Sequence, residues 1–127
     1  MPIDEYLKSL EKLLDALPSV LSINSQIENR GNIALYIKLE IVFNDMSELH
    51  AKEYFITIPE FTKIAYSYHY QDKEKALIFR YDNAEHHPEI QTFPYHKHLE
   101  DSVLSSKAMV LTEVIEEVLR LLLREKS

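Results

Sequence analysis

Four of the six histidines, His86, His87, His96 and His98, fall in the nineteen residues from Arg80 to His98. Imidazole, with an unperturbed pKa of ~6.5, both gives and takes protons near neutral pH. Pro88 and Pro94 stiffen the stretch, and Arg80 and Asp82 lead into it. A guanidinium suits a phosphate, and a carboxylate orients and charges an imidazole. A stiff loop with four imidazoles is poor packing material, so its residue types point to proton transfer or to metal ligation.

The surrounding elements must hold these groups. Residues 3–17 read as an amphipathic helix, with Ile3, Leu7, Leu10, Leu14 and Leu17 at helical spacing and Pro18 as its stop. Strands are predicted over 20–29, 33–44, 47–58, 62–71 and 75–82. Arg30-Gly31-Asn32 joins the first two, with Gly31 free to take a positive φ. Short connections favour an antiparallel meander. A second helix is predicted over about 110–124, with Leu111, Val114, Ile115, Val118, Leu119 and Leu122 as its buried stripe. Leu121 and Leu123 widen that arc and suggest a homodimer or partner contact through this helix. The expected architecture is a two-layer α+β domain over residues 1–127: helix, about five antiparallel strands, histidine loop, helix.

Strand alternation then assigns faces. Ala65, Ser67, His69 and Gln71 point one way, and Ile64, Tyr66, Tyr68 and Tyr70 the other. In the next strand Arg80 and Asp82 share a side, so His69, Gln71, Arg80 and Asp82 are expected on one sheet face. Glu53 is expected to look toward that face too. His96 and His98, at i and i+2, lie on one side if extended, whereas the neighbours His86 and His87 face apart. Taken singly, an Arg-x-Asp on a strand is a surface ion pair, and His69 a hydrogen-bonded structural histidine; the clustering is what points to a site.

A chain of 127 residues with 46% apolar and 28% charged residues fits one soluble domain. With no cysteine, a disulfide framework and a thiolate metal site are excluded, in keeping with a reducing cytoplasm. No signal peptide or membrane span is expected: Asp4 and Glu5 interrupt the start, and no apolar run approaches ~20 residues. The net charge of −7 argues against a broad nucleic-acid-coating surface but leaves room for a local basic site at His86, His87, His96, Lys97 and His98.

The chain resembles the TumE-like family of prokaryotic toxin–antitoxin proteins. The likeness rests on Tyr66-Ser67-Tyr68-His69-Tyr70-Gln71, on Leu77-Ile78-Phe79-Arg80-Tyr81-Asp82-Asn83-Ala84, on His86-His87-Pro88-Glu89, and on Thr92-Phe93-Pro94 with His96-Lys97-His98. Glu53-Tyr54 and the closing helix from Leu111 to Val118 fit as well. Tyr95 departs from the pattern, standing where the family is associated with another histidine. The resemblance implies a toxin-like protein paired with a helix-turn-helix antitoxin.

Three readings follow. A metal-independent endoribonuclease would use His87 with His96 or His98 as acid and base, and Arg80 on the phosphate. Asp82 or Glu53 would orient an imidazole, His69 would flank the site, and Tyr70, Phe93 and Tyr95 would stack a splayed base. A divalent metal such as Zn²⁺ would instead take His87, His96 and His98 with Asp82 or Glu53. A non-catalytic interaction module would use the loop and the leucine-rich last helix for binding.

Overall fold

The computed structural model describes residues 2–85 and 92–125. Helix α1 (Pro2–Asp15) precedes strands β1 (Val20–Arg30), β2 (Ala34–Phe43), β3 (Glu48–Ile56), β4 (Thr62–Gln71), β5 (Leu77–Asp82), β6 (His96–His98) and β7 (Val103–Ser105), and helix α2 (Leu111–Glu125) closes the chain. The strands form one antiparallel sheet in sequence order. The two-layer α+β expectation holds, with seven strands instead of about five. The added β6 and β7 are three residues each, too short for alternation to declare them. What read as a histidine loop therefore ends in a strand.

Alternation explains the layering. β2 buries Leu35, Ile37, Leu39, Ile41 and Phe43; β4 buries Tyr66, Tyr68 and Tyr70; β5 buries Phe79 and Tyr81. Onto this face α1 brings Ile3 and Leu10, and α2 brings Val114, Ile115, Val118 and Leu122. Each such side chain contributes roughly 1.5–3 kcal/mol on burial. Both helices lie on one side, and the other face of the sheet is open. Leu121 packs against the core while Leu123 stays exposed, so the surface suggested for a second contact shrinks to one of the two leucines. No described helix is long and apolar enough to cross a membrane. In the first hairpin Gly31 and Asn32 both take φ of 60°, and the Ile33 N–H donates to the Arg30 carbonyl at 3.0 Å.

Glu53 overturns its expected placement. It lies with Leu49, Ala51 and Phe55 on the helix-covered face and is buried there. Its carboxylate accepts from the Tyr6 and Tyr68 hydroxyls, and the Lys63 ammonium stands 3.6 Å away. Lys63 also donates to the Tyr68 hydroxyl at 2.7 Å and to the Met109 carbonyl at 2.8 Å. Burial holds Lys63 below its ordinary pKa despite the attraction of Glu53. Burial, followed by the Glu53 charge, raises both phenols. The cluster ties α1, β3, β4 and the segment before α2 together beneath the sheet.

Removing one partner of a buried ion pair typically costs about 3–5 kcal/mol. Glu53→Ala should therefore lower the free energy of urea unfolding by about that amount, with Glu53→Gln losing less. An unchanged unfolding midpoint for Glu53→Ala would contradict a structural role for this cluster.

Candidate functional site

Asp82 ends β5 on the open face and is 6% exposed. A carboxylate so buried must be met by donors and positive charge. The sheet register supplies them. Asp82 lies opposite His96, and Arg80 lies opposite His98. Asp82 Oδ2 accepts from Arg80 Nε at 3.1 Å, and Oδ1 accepts from the Ala84 N–H at 3.2 Å. His98 Nε2 is 3.3 Å from Oδ2, and His96 Nε2 is 2.6 Å from Oδ1. The two imidazoles meet edge to face, with ring centroids 4.7 Å apart.

β6 is delivered by a turn. Tyr95 N–H donates to the Thr92 carbonyl at 2.9 Å, and the Thr92 hydroxyl donates to the Tyr95 carbonyl at 2.6 Å. The Ser106 N–H donates to that hydroxyl at 2.9 Å, joining the turn to the end of β7. Lys97 alternates to the other face, where its ammonium reaches Glu117 of α2 at 2.9 Å. Tyr81, opposite Lys97, donates to the same carboxylate at 2.6 Å. Burial opposes the charge on Lys97, but Tyr81 and Glu117 outweigh it and hold the ammonium above its usual pKa. The β5–β6 register is thus pinned from both faces.

The two histidines differ in access. His96 is 1% exposed, and its Nδ1–H donates to the Pro94 carbonyl at 2.8 Å. That bond fixes the ring with Nε2 facing the carboxylate. The approach lacks the direction of a hydrogen bond. The His98 side chain is 24% exposed and lines the groove of the open face. His98 is thus open to the groove, whereas His96 is enclosed.

The donor set can be tested against a metal. The ligand atoms of Asp82, His96 and His98 lie within 4.8 Å of one another. Ligands of a tetrahedral Zn²⁺ stand about 3.4 Å apart at ordinary Zn–N and Zn–O bond lengths. The 3.3 Å pair fits that spacing, and the 2.6 Å pair is closer than it.

Other expected site residues are placed as follows. His69 lies on the same face, opposite Arg80 in the register, but bonds to Gln71 through Nε2 at 3.0 Å. Burial holds it below its ordinary pKa, so it is neutral at neutral pH. Glu53 is across the sheet and cannot orient these imidazoles. Tyr70 is 2% exposed in the core and exchanges a hydrogen bond with Ser47 at 2.8 Å, so it cannot stack a base. Tyr95 packs against the core, and Phe93 is exposed. His86 and His87 lie outside the described residues.

The open face also carries groups that the sequence reading passed over. A groove of about 660 Å³ runs from the Asp82 site across β4, β3 and β2 to β1. Tyr36 and Tyr54 stack there at 4.2 Å, with Lys38 and Lys52 directly beside them in the register. Alternation within 33–44 and 47–58, plus the hairpin register, would have found all four.

No curated protein and no solved structure matches this chain. A family model described as Toxin TumE matches residues 10–125. That span takes in every strand, the Asp82 site and α2, and the chain belongs to the Toxin TumE family.

Proposed function

We propose that this protein is the toxin of a prokaryotic toxin–antitoxin pair and that it cuts single-stranded RNA in the cytoplasm. One observation carries the reading: a single buried carboxylate gathers two imidazoles and a guanidinium at the edge of an open groove. His98 takes the proton of a 2′-hydroxyl. The freed oxygen attacks the adjacent phosphorus, and the bond to the 5′-oxygen breaks as that oxygen gains a proton. The products are a 2′,3′-cyclic phosphate and a 5′-hydroxyl. Arg80, whose side chain is exposed beside Asp82, stabilises charge on the phosphate. Asp82 orients His98, and His96 holds Asp82 in place. The second proton carrier assigned from the sequence, His87, lies outside the described residues. On the family likeness alone, the partner is a helix-turn-helix antitoxin.

A metal reading is supported by the convergence of Asp82, His96 and His98, three ligands that would leave a position open for water. The 2.6 Å contact makes it the second choice.

The purified protein should cut single-stranded RNA, leaving cyclic phosphate ends. His98→Ala should slow it by about 10²–10⁴-fold, the usual worth of a general acid or base. Arg80→Ala should slow it by about 10²–10³-fold, as for loss of one charge-stabilising donor. An intact RNA pool between pH 6 and 8 with folded protein would refute the reading. Cutting should also persist in EDTA. Stoichiometric zinc in untagged protein, with activity lost on chelation and restored by Zn²⁺, would transfer the assignment to the metal reading.

A further inference from the structure

The open face carries a row of groups in register: Gln26, Lys38, Lys52, Ser67, Asp82 and His96 lie opposite one another, strand by strand. Lys38 and Lys52 are exposed and face each other directly. Like charges so placed are destabilising, and an anion between them relieves the cost. Lys38 approaches Glu40 at 4.0 Å, whereas Lys52 has no carboxylate within ion-pair distance among the described residues. Of the other acids of this face, Glu28 pairs with Arg30 at 3.0 Å, and Glu48 lies 2.9 Å from His50. Among the described residues Lys52 is thus a cation in the groove with no carboxylate partner, despite the negative net charge of the chain.

Two residue pairs along the strands, on the same face, Tyr36 lies opposite Tyr54, and their rings stack at 4.2 Å with 18° between planes. The Arg30 guanidinium covers the far side of Tyr36, 4.5 Å from its centroid. The stack Arg30–Tyr36–Tyr54 then ends on the next strand at Ala65, which is small and exposed. The outer face of Tyr54 is left open over Ala65 and Ser67, in the hollow that leads to Asp82 and His98. Strand spacing of about 4.8 Å and a rise of about 3.4 Å per residue put Tyr54 about 12 Å from Asp82, a reach a dinucleotide covers.

We propose that this hollow seats a nucleobase of single-stranded RNA on the free face of Tyr54, with the neighbouring phosphate held by Lys52 and Lys38 and the next one presented to Arg80 and His98. This deepens the RNA-cutting reading and rests on it for the identity of the substrate. Aromatic stacking and phosphate pairing tolerate any sequence, as in other single-strand grooves. A duplex keeps its bases stacked on each other and cannot offer one to Tyr54.

The test is fluorescence anisotropy with a labelled 2′-O-methyl RNA oligonucleotide, which binds but lacks the attacking hydroxyl. Tyr54→Ala should weaken binding about 5- to 150-fold, the worth of one stacked base. Ala65→Leu should do the same by filling the hollow without removing any contact. Tyr54→Phe should bind as the native protein does, and Lys52→Ala should reduce the salt dependence by about one phosphate contact. The duplex form of the probe should bind more weakly. Native affinity in both Tyr54→Ala and Ala65→Leu, or no binding by the native protein, would overturn the proposal. Binding lost in these variants alongside a native protein that never cuts RNA would support the groove and refute the cleavage reading separately.

Discussion

A carboxylate buried at the end of β5 must be compensated, and the geometry around Asp82 follows from that need. Its partners come from two strands and the backbone: Arg80 and the Ala84 N–H from β5 and just beyond, His96 and His98 from β6. A shift of one residue between β5 and β6 would turn both imidazoles to the helix face and strand the charge. The register is guarded from below as well, because Lys97 and Tyr81 converge on Glu117 of α2. The C-terminal helix thus contributes to the site without approaching it.

The sheet separates two polar systems. Beneath it Glu53, Tyr6, Tyr68 and Lys63 form a cluster that joins helix to sheet. Above it, Asp82, Arg80 and His98 border a groove whose lysines and tyrosines lie exposed or half-buried. Similar residue types serve structure on one face and offer chemistry on the other. Exposure to the groove distinguishes His98 from His96.

Much of this was legible in the chain. The period of two put Arg80 with Asp82, and His96 with His98, on shared sides, and the short connections predicted the meander. The Toxin TumE family assignment agrees with the motif from Tyr66 to His98. Glu53 was misread because local periodicity says which residues share a side but not which side is covered. Its partners come from residues 6, 63 and 68, and no local pattern links them to it. Tyr70 carried its own warning, since it alternates with the core tyrosines, away from His69. β6 was invisible as a strand because three residues held by partners on both sides need no alternation of their own. The groove was missed for a different reason: Tyr36, Lys38, Lys52 and Tyr54 look like ordinary half-solvated strand residues until the hairpin register sets tyrosine against tyrosine and lysine against lysine.

The central claim is that Asp82 and His98 act as one unit. A double-mutant cycle on RNA cleavage measures this directly, comparing Asp82→Asn, His98→Ala and the double variant at fixed pH and salt. Groups that work together are strongly non-additive. The double variant should be about as slow as the slower single variant. Losses that multiply, so that each residue costs the same whether or not the other is present, would contradict the coupling and dissolve the site into two unrelated surface residues.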